Sequence, residues 1–259
     1  MKPHLHIKLL KRKISSFHFF GVLGYIIGTL LGTFIAKPLG FRPEIVLLMA
    51  ATGAGTFFLR AFFAKWITGE ETIVYYHHEI AILVCCTLVL YLLNQPILSY
   101  LDITLLGIGT FLAFGRIGCF SVGCCHGRPH KHGVQYGEAH VQAGFTWFYK
   151  DVPLLPVQLI ESGYVFLTVI AGTILLFNNV VPGTVLIVYT VLYGLFRFIM
   201  EYFRGDPDRP ARLGVSEAQY TTLLLTGITY LLGKINWLPM YNWHGIILVL
   251  MVAATLVTI

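Results

Sequence analysis

A run near the end of one long apolar segment, YGLFRFIMEYFR at residues 193–204, places four polar side chains on one helical face. The four residues, spaced by four, four and three positions, are Tyr193, Arg197, Glu201 and Arg204. Arg197 and Glu201 can form an i,i+4 ion pair. A charge at the centre of a membrane helix costs about 2.5–3.5 kcal/mol on insertion scales, so this face is either a functional site or an ion pair that locks a bundle.

A second motif, GRIGCFSVGCCHGRP at residues 115–129, ends another apolar segment. Its four closely spaced glycines indicate a tightly turned backbone with free N–H groups. Arg116 and Arg128 add planar guanidinium groups, which bind phosphate in a bidentate manner. The motif therefore predicts a phosphate site. The alternative is an arginine that reaches the membrane interface for structural reasons alone.

The cysteines of this motif follow the pattern C-x4-C-C-H, formed by Cys119, Cys124, Cys125 and His126. The spacing differs from the usual zinc patterns, so we expect no metal here and interpret the thiols as small, buried side chains. A Cys119–Cys124 disulfide is the alternative if the segment faces an oxidising compartment. The chain has five cysteines, and an odd number argues against a secreted disulfide framework.

A histidine pair opens a third apolar segment, in the sequence YYHHE at residues 75–79. His77 and His78 lie next to Glu79, and a histidine beside a carboxylate at a membrane edge can act as a general base. The same residues, flanked by tyrosines, could instead anchor the helix at the interface. Both interpretations remain open at this point.

A fourth motif, PVQLIE at residues 156–161, opens a further apolar segment. Gln158 and Glu161 are three positions apart and therefore lie on one helix face. A carboxylate in an apolar segment requires a cationic partner. We expect an arginine of the first two motifs to pair with Glu161.

The composition explains why charges in this chain carry information. Hydrophobic residues make up 56% of the 259 residues and charged residues only 12%, against about 25% in soluble domains. A helix needs about 20 apolar residues to cross a bilayer. The sequence therefore predicts an all-α, polytopic bundle of seven or eight spans within one integral membrane domain, residues 1–259. The spans are expected near residues 17–36, 44–64, 76–93, 101–118, 157–178, 183–203, 215–233 and 243–259.

Two polar connections interrupt these spans. Residues 119–156 form a long polar loop between the fourth and fifth spans, and residues 204–214 follow the sixth. Long ordered loops are commonly functional. The formal net charge of +6 favours contact with anionic lipid, and we find no motif typical of nucleic-acid binding.

The four motifs, in this order, resemble those of the prolipoprotein diacylglyceryl transferase family. The similarity to the signature G-R-x-G-N-F-x-N-G-E-x-x-G-R-P rests on Gly115, Arg116, Gly118, Phe120, Gly123, Gly127, Arg128 and Pro129. The H-P-S-Q-L-Y-E motif is matched by Pro156, Gln158, Leu159 and Glu161, and Y-G-x-F-R-x-x-x-E-x-F-R by Tyr193, Gly194, Phe196, Arg197, Glu201, Phe203 and Arg204. The resemblance extends over residues 17–233.

The chain departs from the family pattern at several positions. Cys119 stands where the signature has asparagine, and Cys124 where it has glutamate. The H-G-G motif of the family corresponds to the segment that contains His77 and His78, and Leu155 replaces the histidine of H-P-S-Q. The chain is thus similar to a Cys-rich, divergent branch of the family, and its acceptor could differ.

The resemblance implies transfer of a diacylglyceryl group from phosphatidylglycerol to a thiol acceptor, typically the cysteine of a prelipoprotein. It also implies that glycerol phosphate is released and that no cofactor is needed. It implies that Arg116 and Arg197 bind the phosphate and that His78 or His77 deprotonates the thiol. Glu161 and Glu201 would orient the arginines, and Arg204 would guard the lateral entrance. The remaining implied substrate-binding residues are Arg128, Gln158, Tyr193, Gly127, Cys119 and Cys124.

Membrane orientation and alternatives to this function complete the expectations. The basic N-terminal tail indicates a cytoplasmic N-terminus, whereas the resemblance implies that the glycine-rich loop and the end of the sixth span face outward; we follow the resemblance. The expected location is the bacterial cytoplasmic (inner) membrane. One alternative is a related phospholipid-dependent transferase with another acceptor. Another is a non-catalytic lipid-binding membrane protein.

Overall fold

A computed structural model of the chain describes residues 3–9, 12–69, 74–206, 209 and 211–258. The helices, in chain order, are α1 (Ser16–Ala36), α2 (Pro43–Thr68), α3 (Tyr75–Leu92), α4 (Ile97–Val122), α5 (Glu138–Gln142), α6 (Val157–Phe177), α7 (Thr184–Val188), α8 (Gly194–Met200), α9 (Glu217–Lys234) and α10 (Asn242–Thr258). A helix lies at each of the eight predicted span positions. The all-α, polytopic fold class is therefore confirmed.

Six of these segments are long and apolar enough to cross a membrane. They are α1, α2, α3, α4, α6 and the continuous helical stretch Thr184–Phe203. α9 and α10 follow as a helical pair beside them. The chain is a multi-pass membrane protein, and whether α9 and α10 also cross stays a prediction.

α4 is the central helix, and it packs against α1, α2, α3, α6 and α7. Its contact with α1 is close because glycines face each other: a Cβ on Gly28 would lie 2.6 Å from the carbonyl oxygen of Gly107. Small residues of this kind let membrane helices approach backbone to backbone. The close packing fixes α4, whose C-terminal end carries the glycine-rich motif.

The sixth span is not a uniform α-helix. α7 is followed by one π-helical turn, Tyr189–Tyr193, then by α8 and a 3₁₀ turn, Glu201–Phe203. π-Helical turns are rare and occur frequently at functional sites. Asp102 of α4 holds the beginning of this span, because its carboxylate accepts the backbone N–H groups of Gly183 and Leu186 at 2.7 and 2.8 Å.

The predicted polar loop begins later than expected. α4 continues to Val122 and ends at Gly123, which adopts a left-handed conformation with φ +89° and donates its N–H to the Cys119 carbonyl. The helix runs past Gly118, which stays helical, and ends where Gly123 adopts the left-handed conformation typical of a helix C-terminus. The loop contains a strand, β3 (Pro129–Val134), and the short α5.

Two small hairpins lie outside the helices. β1 (His6–Leu9) pairs antiparallel with β2 (Arg12–Ser15), directly before α1. β4 (Ala211–Arg212) pairs with β5 (Val215–Ser216), directly before α9. A capping box between Ser216 and Gln219 then begins α9. Since these hairpins adjoin helices, they set where the helices start.

Candidate active site

The centre of the site is the carboxylate of Glu161, one turn inside α6. Its Oε1 lies 3.0 Å from Arg116 Nη2 of α4 and 3.8 Å from Arg197 Nε of α8. The hydroxyl of Tyr193 donates to the same oxygen at 2.7 Å. The prediction that Glu161 pairs with an arginine of the first two motifs is thus confirmed, and each of the two motifs supplies one arginine. Three consecutive spans of the bundle meet at this atom.

The network continues from Arg197 along the end of the sixth span. Arg197 Nη2 lies 2.5 Å from Glu201 Oε1, which confirms the predicted i,i+4 pair. Arg204 Nη1 lies 3.7 Å from the same oxygen, and Arg209 Nη1 lies 3.0 Å from Glu201 Oε2. Arg204 in turn binds Asp206 through two hydrogen bonds of 2.6 Å. The polar face predicted from the sequence therefore exists as one connected chain of ion pairs.

The centre of this network is buried, and among the described residues the network contains more cations than anions. Arg116 and Arg197 are each 7% exposed, and Glu161 is 2% exposed. Four arginines face three carboxylates in the pairs described above, which leaves one positive charge in excess. Arg116 Nε and Arg197 Nη1 are buried without a hydrogen-bond partner among the described residues. Buried donors without partners are costly, and an anion placed between them would satisfy both.

A backbone clamp holds the glycine-rich motif against the end of the sixth span. Gly127 donates its N–H to the Leu155 carbonyl, and Arg128 donates to the Phe203 carbonyl, both at 3.0 Å. Gly205 donates to the His126 carbonyl, also at 3.0 Å. A Cβ on Gly127 would lie 2.6 Å from the Leu155 oxygen, so this approach needs glycine. The clamp joins the ends of three spans around the arginines.

The motif arginines outside the centre occupy different surroundings. Arg128 is exposed, and its Nε donates to the Arg204 carbonyl at 3.3 Å. The Arg128 side chain therefore lies outside the buried network. Arg204 is only 8% exposed. Burial alone would lower its pKa, but the hydrogen bonds to Asp206 and the negative charges of Cys125 and Asp206 raise the pKa above the usual value, so Arg204 stays cationic.

The two histidines have other neighbours than the arginines of the network. His77 Nε2 forms a partly exposed pair with Glu217 of α9 at 2.9 Å. His78 is buried, its Nδ1 lies 2.9 Å from the Val74 carbonyl, and its ring packs against Phe57. His78 Nε2 has no hydrogen-bond partner among the described residues. No described hydrogen bond, ion pair or ring contact joins either histidine to Arg116 or Arg197.

A small cavity of about 100 Å³ adjoins the network beside Tyr193. Tyr76 and the buried Glu79 of α3 line it from one side, and Thr222 of α9 from another. The cavity is far smaller than a diacylglyceryl group, since ligand pockets for drug-sized molecules start at about 300 Å³. This cavity alone therefore does not hold a diacylglyceryl group.

Gln158 connects α6 to the cysteine segment. It is completely buried, and its Nε2 donates to the Cys124 carbonyl at 2.7 Å. The sulfur atoms of Cys119, Cys124 and Cys125 all lie within 4.8 Å of one another. Hydrogen bonds from the other two thiols hold the pKa of Cys125 well below its usual value, and the same contacts raise that of Cys124.

Three contributors to this region were not identified as site residues from the sequence. Arg209 and Asp206 extend the ion-pair network, and Cys125 completes the thiol group. The alternating charges of RGDPDR at residues 204–209, directly after the polar face, were the available signal for the first two. Cys125 directly follows Cys124, and only the turn of the backbone brings its sulfur back toward Cys119.

Comparison with known proteins agrees with the motifs. A family model described as prolipoprotein diacylglyceryl transferase matches residues 6–257. A phosphatidylglycerol–prolipoprotein diacylglyceryl transferase of Clostridium tetani (strain Massachusetts / E88) is 34% identical over 132 residues, which are 50% of this chain and 50% of that protein. Phosphatidylglycerol–prolipoprotein diacylglyceryl transferase 2 of Clostridium perfringens (strain 13 / Type A) is 29% identical over 146 residues, 54% of this chain and 53% of that protein. The chain spans about half the length of the curated relatives it matches.

Proposed function

From the premise that the chain belongs to the prolipoprotein diacylglyceryl transferase family, we propose that it transfers a diacylglyceryl group from phosphatidylglycerol to the cysteine thiol of a prelipoprotein. The matched relatives carry this activity in their names. The reaction would take place in the bacterial cytoplasmic membrane, where donor lipid and newly exported acceptor meet. The products are a lipidated protein and glycerol phosphate.

The observation that carries this proposal is the buried surplus of arginine. Within the part of the chain that the structure describes, Arg116 Nε and Arg197 Nη1 are donors without a partner, on two helices that meet at Glu161. Guanidinium groups bind phosphate with paired hydrogen bonds, and such charge-assisted bonds are the strong ones. A purely structural ion-pair network has no need for spare buried donors. A phosphodiester held between the two arginines would use them.

The arrangement suits a displacement at carbon. The acceptor thiolate attacks the glycerol carbon that bears the phosphate, the new C–S bond forms, and the C–O bond breaks with its electron pair going to the phosphate oxygen. Negative charge then grows on the leaving glycerol phosphate. Arg116 and Arg197 are already buried and oriented, so they stabilise that charge without rearranging. Glu161 and Glu201 orient the two guanidinium groups.

The remaining residues are proposed to bind and admit substrates. Arg204, at the end of the sixth span, would attract the lipid head group at the lateral entrance, and two hydrogen bonds to Asp206 hold its guanidinium group. His78 is the proposed acceptor of the thiol proton because its Nε2 is free of described partners, while His77 is already engaged by Glu217. Gln158, Tyr193 and Gly127 would shape the site around the phosphate.

A second candidate function keeps phosphatidylglycerol as the donor and changes the acceptor. Cys119 and Cys124 occupy positions where the family signature has asparagine and glutamate, and they follow Arg116 within the same motif. In this second candidate the side chains at these two positions contact the acceptor, so their replacement favours a different one. Complementation of a bacterial strain depleted of its own lipoprotein transferase separates the two functions: growth supports a prelipoprotein acceptor, and failure at good expression supports another.

The direct test uses the full chain in detergent with phosphatidylglycerol labelled in its acyl chains. Incubation with a peptide that contains the prelipoprotein cysteine motif is expected to move the label to the peptide, and a peptide with serine at that position stays unlabelled. Arg42→Ala is a matched control for Arg197→Ala, because Arg42 is exposed and its one ion pair among the described residues is with the exposed Glu44. Label that binds the protein and is never transferred to any acceptor would contradict an enzymatic function.

A further inference from the structure

The three thiols at the end of α4 form a group with the dimensions of a metal site. The sulfur atoms of Cys119, Cys124 and Cys125 lie within 4.8 Å of one another. Two thiolates on a tetrahedral zinc ion, each at about 2.3 Å, lie about 3.8 Å apart. Small side-chain rotations are enough to bring the sulfur atoms from within 4.8 Å of one another to the separation of about 3.8 Å that zinc requires. The group belongs to residues that the family signature does not share, so it is a feature of this chain.

The local backbone brings these thiols together at a cost. Gly123 ends α4 in a left-handed conformation, and Cys125 also has a positive φ of +57°, which is unfavourable for a residue with a side chain. Gln158 holds the turn from α6 through its hydrogen bond to the Cys124 carbonyl. Unfavourable backbone angles persist where surrounding structure enforces them, commonly at functional sites. The backbone of this turn thus accepts an unfavourable φ angle at Cys125, and the three sulfur atoms lie close together.

The surrounding charges suit a cluster of thiolates around a divalent ion. Three thiolates and one divalent cation carry a net charge of minus one. Arg116 and Arg204 are the charged groups that act on Cys125, and they would balance that charge. Soft thiolate ligands in a tetrahedral arrangement select zinc over the hard cations magnesium and calcium. Zinc has no redox chemistry of its own, so it also protects such thiols from pairing as disulfides.

The group supplies three ligands and leaves the fourth position open. Among the described residues, no other histidine, cysteine, aspartate or glutamate joins the three. His126 is the nearest in sequence, but its Nδ1 lies 2.9 Å from the Gly127 carbonyl and its ring packs against Phe145 and Tyr149. Cys124 is exposed, so the group is accessible from outside. Structural zinc sites have four protein ligands, whereas catalytic sites have three and an open position.

We propose that Cys119, Cys124 and Cys125 bind a zinc ion whose open position takes the acceptor thiol. A thiol bound to zinc loses its proton outright, and the proton passes to water or to a histidine. The bound thiolate then attacks the glycerol carbon, and the C–O bond electrons leave with glycerol phosphate beside Arg116. The thioether product has no thiolate charge and dissociates. Zinc binding stands alone, whereas this role for the thiol rests on the proposed function.

Metal analysis of the purified full chain tests the site itself. We expect about one zinc per chain under reducing conditions, since three convergent thiolates define one tetrahedral centre. The Cys119→Ser, Cys124→Ser double variant should lose it, and Cys85→Ser, a cysteine on α3 outside the group, should keep it. Absence of zinc even after incubation with zinc chloride would overturn the proposal, as would an equal loss in Cys85→Ser.

Cobalt substitution tests the open position without relying on turnover. Cobalt in the site should show a tetrahedral thiolate spectrum that changes when a cysteine-containing acceptor peptide is added and stays constant with the serine peptide. An unchanged spectrum with the cysteine peptide would overturn the role of the metal in binding the acceptor. A protein that binds zinc and the peptide thiol but transfers no lipid would support the site and contradict the proposed lipid transfer.

Discussion

Asp102 and Glu161 are both buried carboxylates in apolar helices, but different groups satisfy them. Asp102 accepts two backbone N–H groups at the start of the sixth span, and no described residue forms an ion pair with it. Glu161 accepts the hydroxyl of Tyr193 and faces two arginines. Both carboxylates fix the position of the same span, one near its beginning and the other near its end.

The difference lies in what remains unsatisfied around each group. The two N–H groups that meet Asp102 at the first turns of α7 are matched by its two oxygens, so the contact is complete by itself. Around Glu161 two buried guanidinium nitrogens have no hydrogen-bond partner among the residues that the structure describes. Structural contacts in a membrane bundle are expected to be complete, because unsatisfied polar groups cost several kcal/mol in lipid. An incomplete one is the better indicator of a ligand.

The largest effect is expected for Glu161→Ala. This change leaves Arg116 and Arg197 buried without their shared carboxylate, and removal of one partner from a buried ion pair costs about 3–5 kcal/mol. Thermal unfolding in detergent should show a strongly lowered midpoint. Glu44→Ala, which removes an exposed carboxylate, serves as the control. A midpoint close to that of the unmodified chain would mean that the network does not depend on Glu161.

Arg197→Ala is expected to lower transfer by about 10²–10³-fold, the usual effect of removing one preorganised donor to a developing negative charge. Arg197→Lys should recover only part of the activity, because lysine keeps the charge and loses the planar fork. Transfer of labelled diacylglyceryl to peptide is the measurement. Full activity in a folded Arg197→Ala protein would refute the assignment of this region as the phosphate site.

Asp102→Asn should reduce stability without a comparable effect on chemistry. The substitution replaces one acceptor oxygen by an NH₂ group opposite a backbone N–H, and a hydrogen bond to a charged group contributes about 1.5–3 kcal/mol. The unfolding midpoint should therefore fall, while the transfer rate of the folded fraction changes little. A rate loss as large as that of Arg197→Ala would remove the distinction between the two carboxylates.

The smallest effect is expected for Arg128→Ala. Arg128 is exposed and contacts Arg204 only through a backbone carbonyl, and exposed substitutions usually change free energies by about 0.5 kcal/mol, or about twofold in rate. Comparison with Arg197→Ala in the same transfer assay is the measurement. A loss of the same size in both variants would place Arg128 among the phosphate ligands, as its position in the family signature implies.

Much of the fold follows from the sequence because membrane spans are long, apolar and bounded by glycine, proline or charge. The same rule made the rare internal charges conspicuous, and it correctly paired Arg197 with Glu201 and Glu161 with arginine. The first pair is local in the sequence. The second was predictable because a buried carboxylate in this chain has few cations with which it could pair. The stripe of polar residues on the sixth span needed only helical periodicity.

The remainder depends on geometry that no local pattern encodes. The π turn Tyr189–Tyr193 arises within an unbroken apolar run. The assembly of the three thiols depends on positive φ angles at Gly123 and Cys125, and a sequence does not state that a cysteine will adopt one. The contact of His78 with Phe57 of α2 joins residues that lie 21 positions apart in the chain, and no sequence pattern predicts it.

The clamp between Gly127 and the end of the sixth span also constrains the order in which the protein is made. Arg116 enters the membrane with the fourth span, before the chain that carries Glu161 and the Leu155 carbonyl has been synthesised. A lone arginine in a membrane helix is unfavourable, so we expect this end of α4 to stay at the interface until the fifth and sixth spans arrive. In that order of events the site is completed last, when the bridge between Gly127 and Arg204 forms.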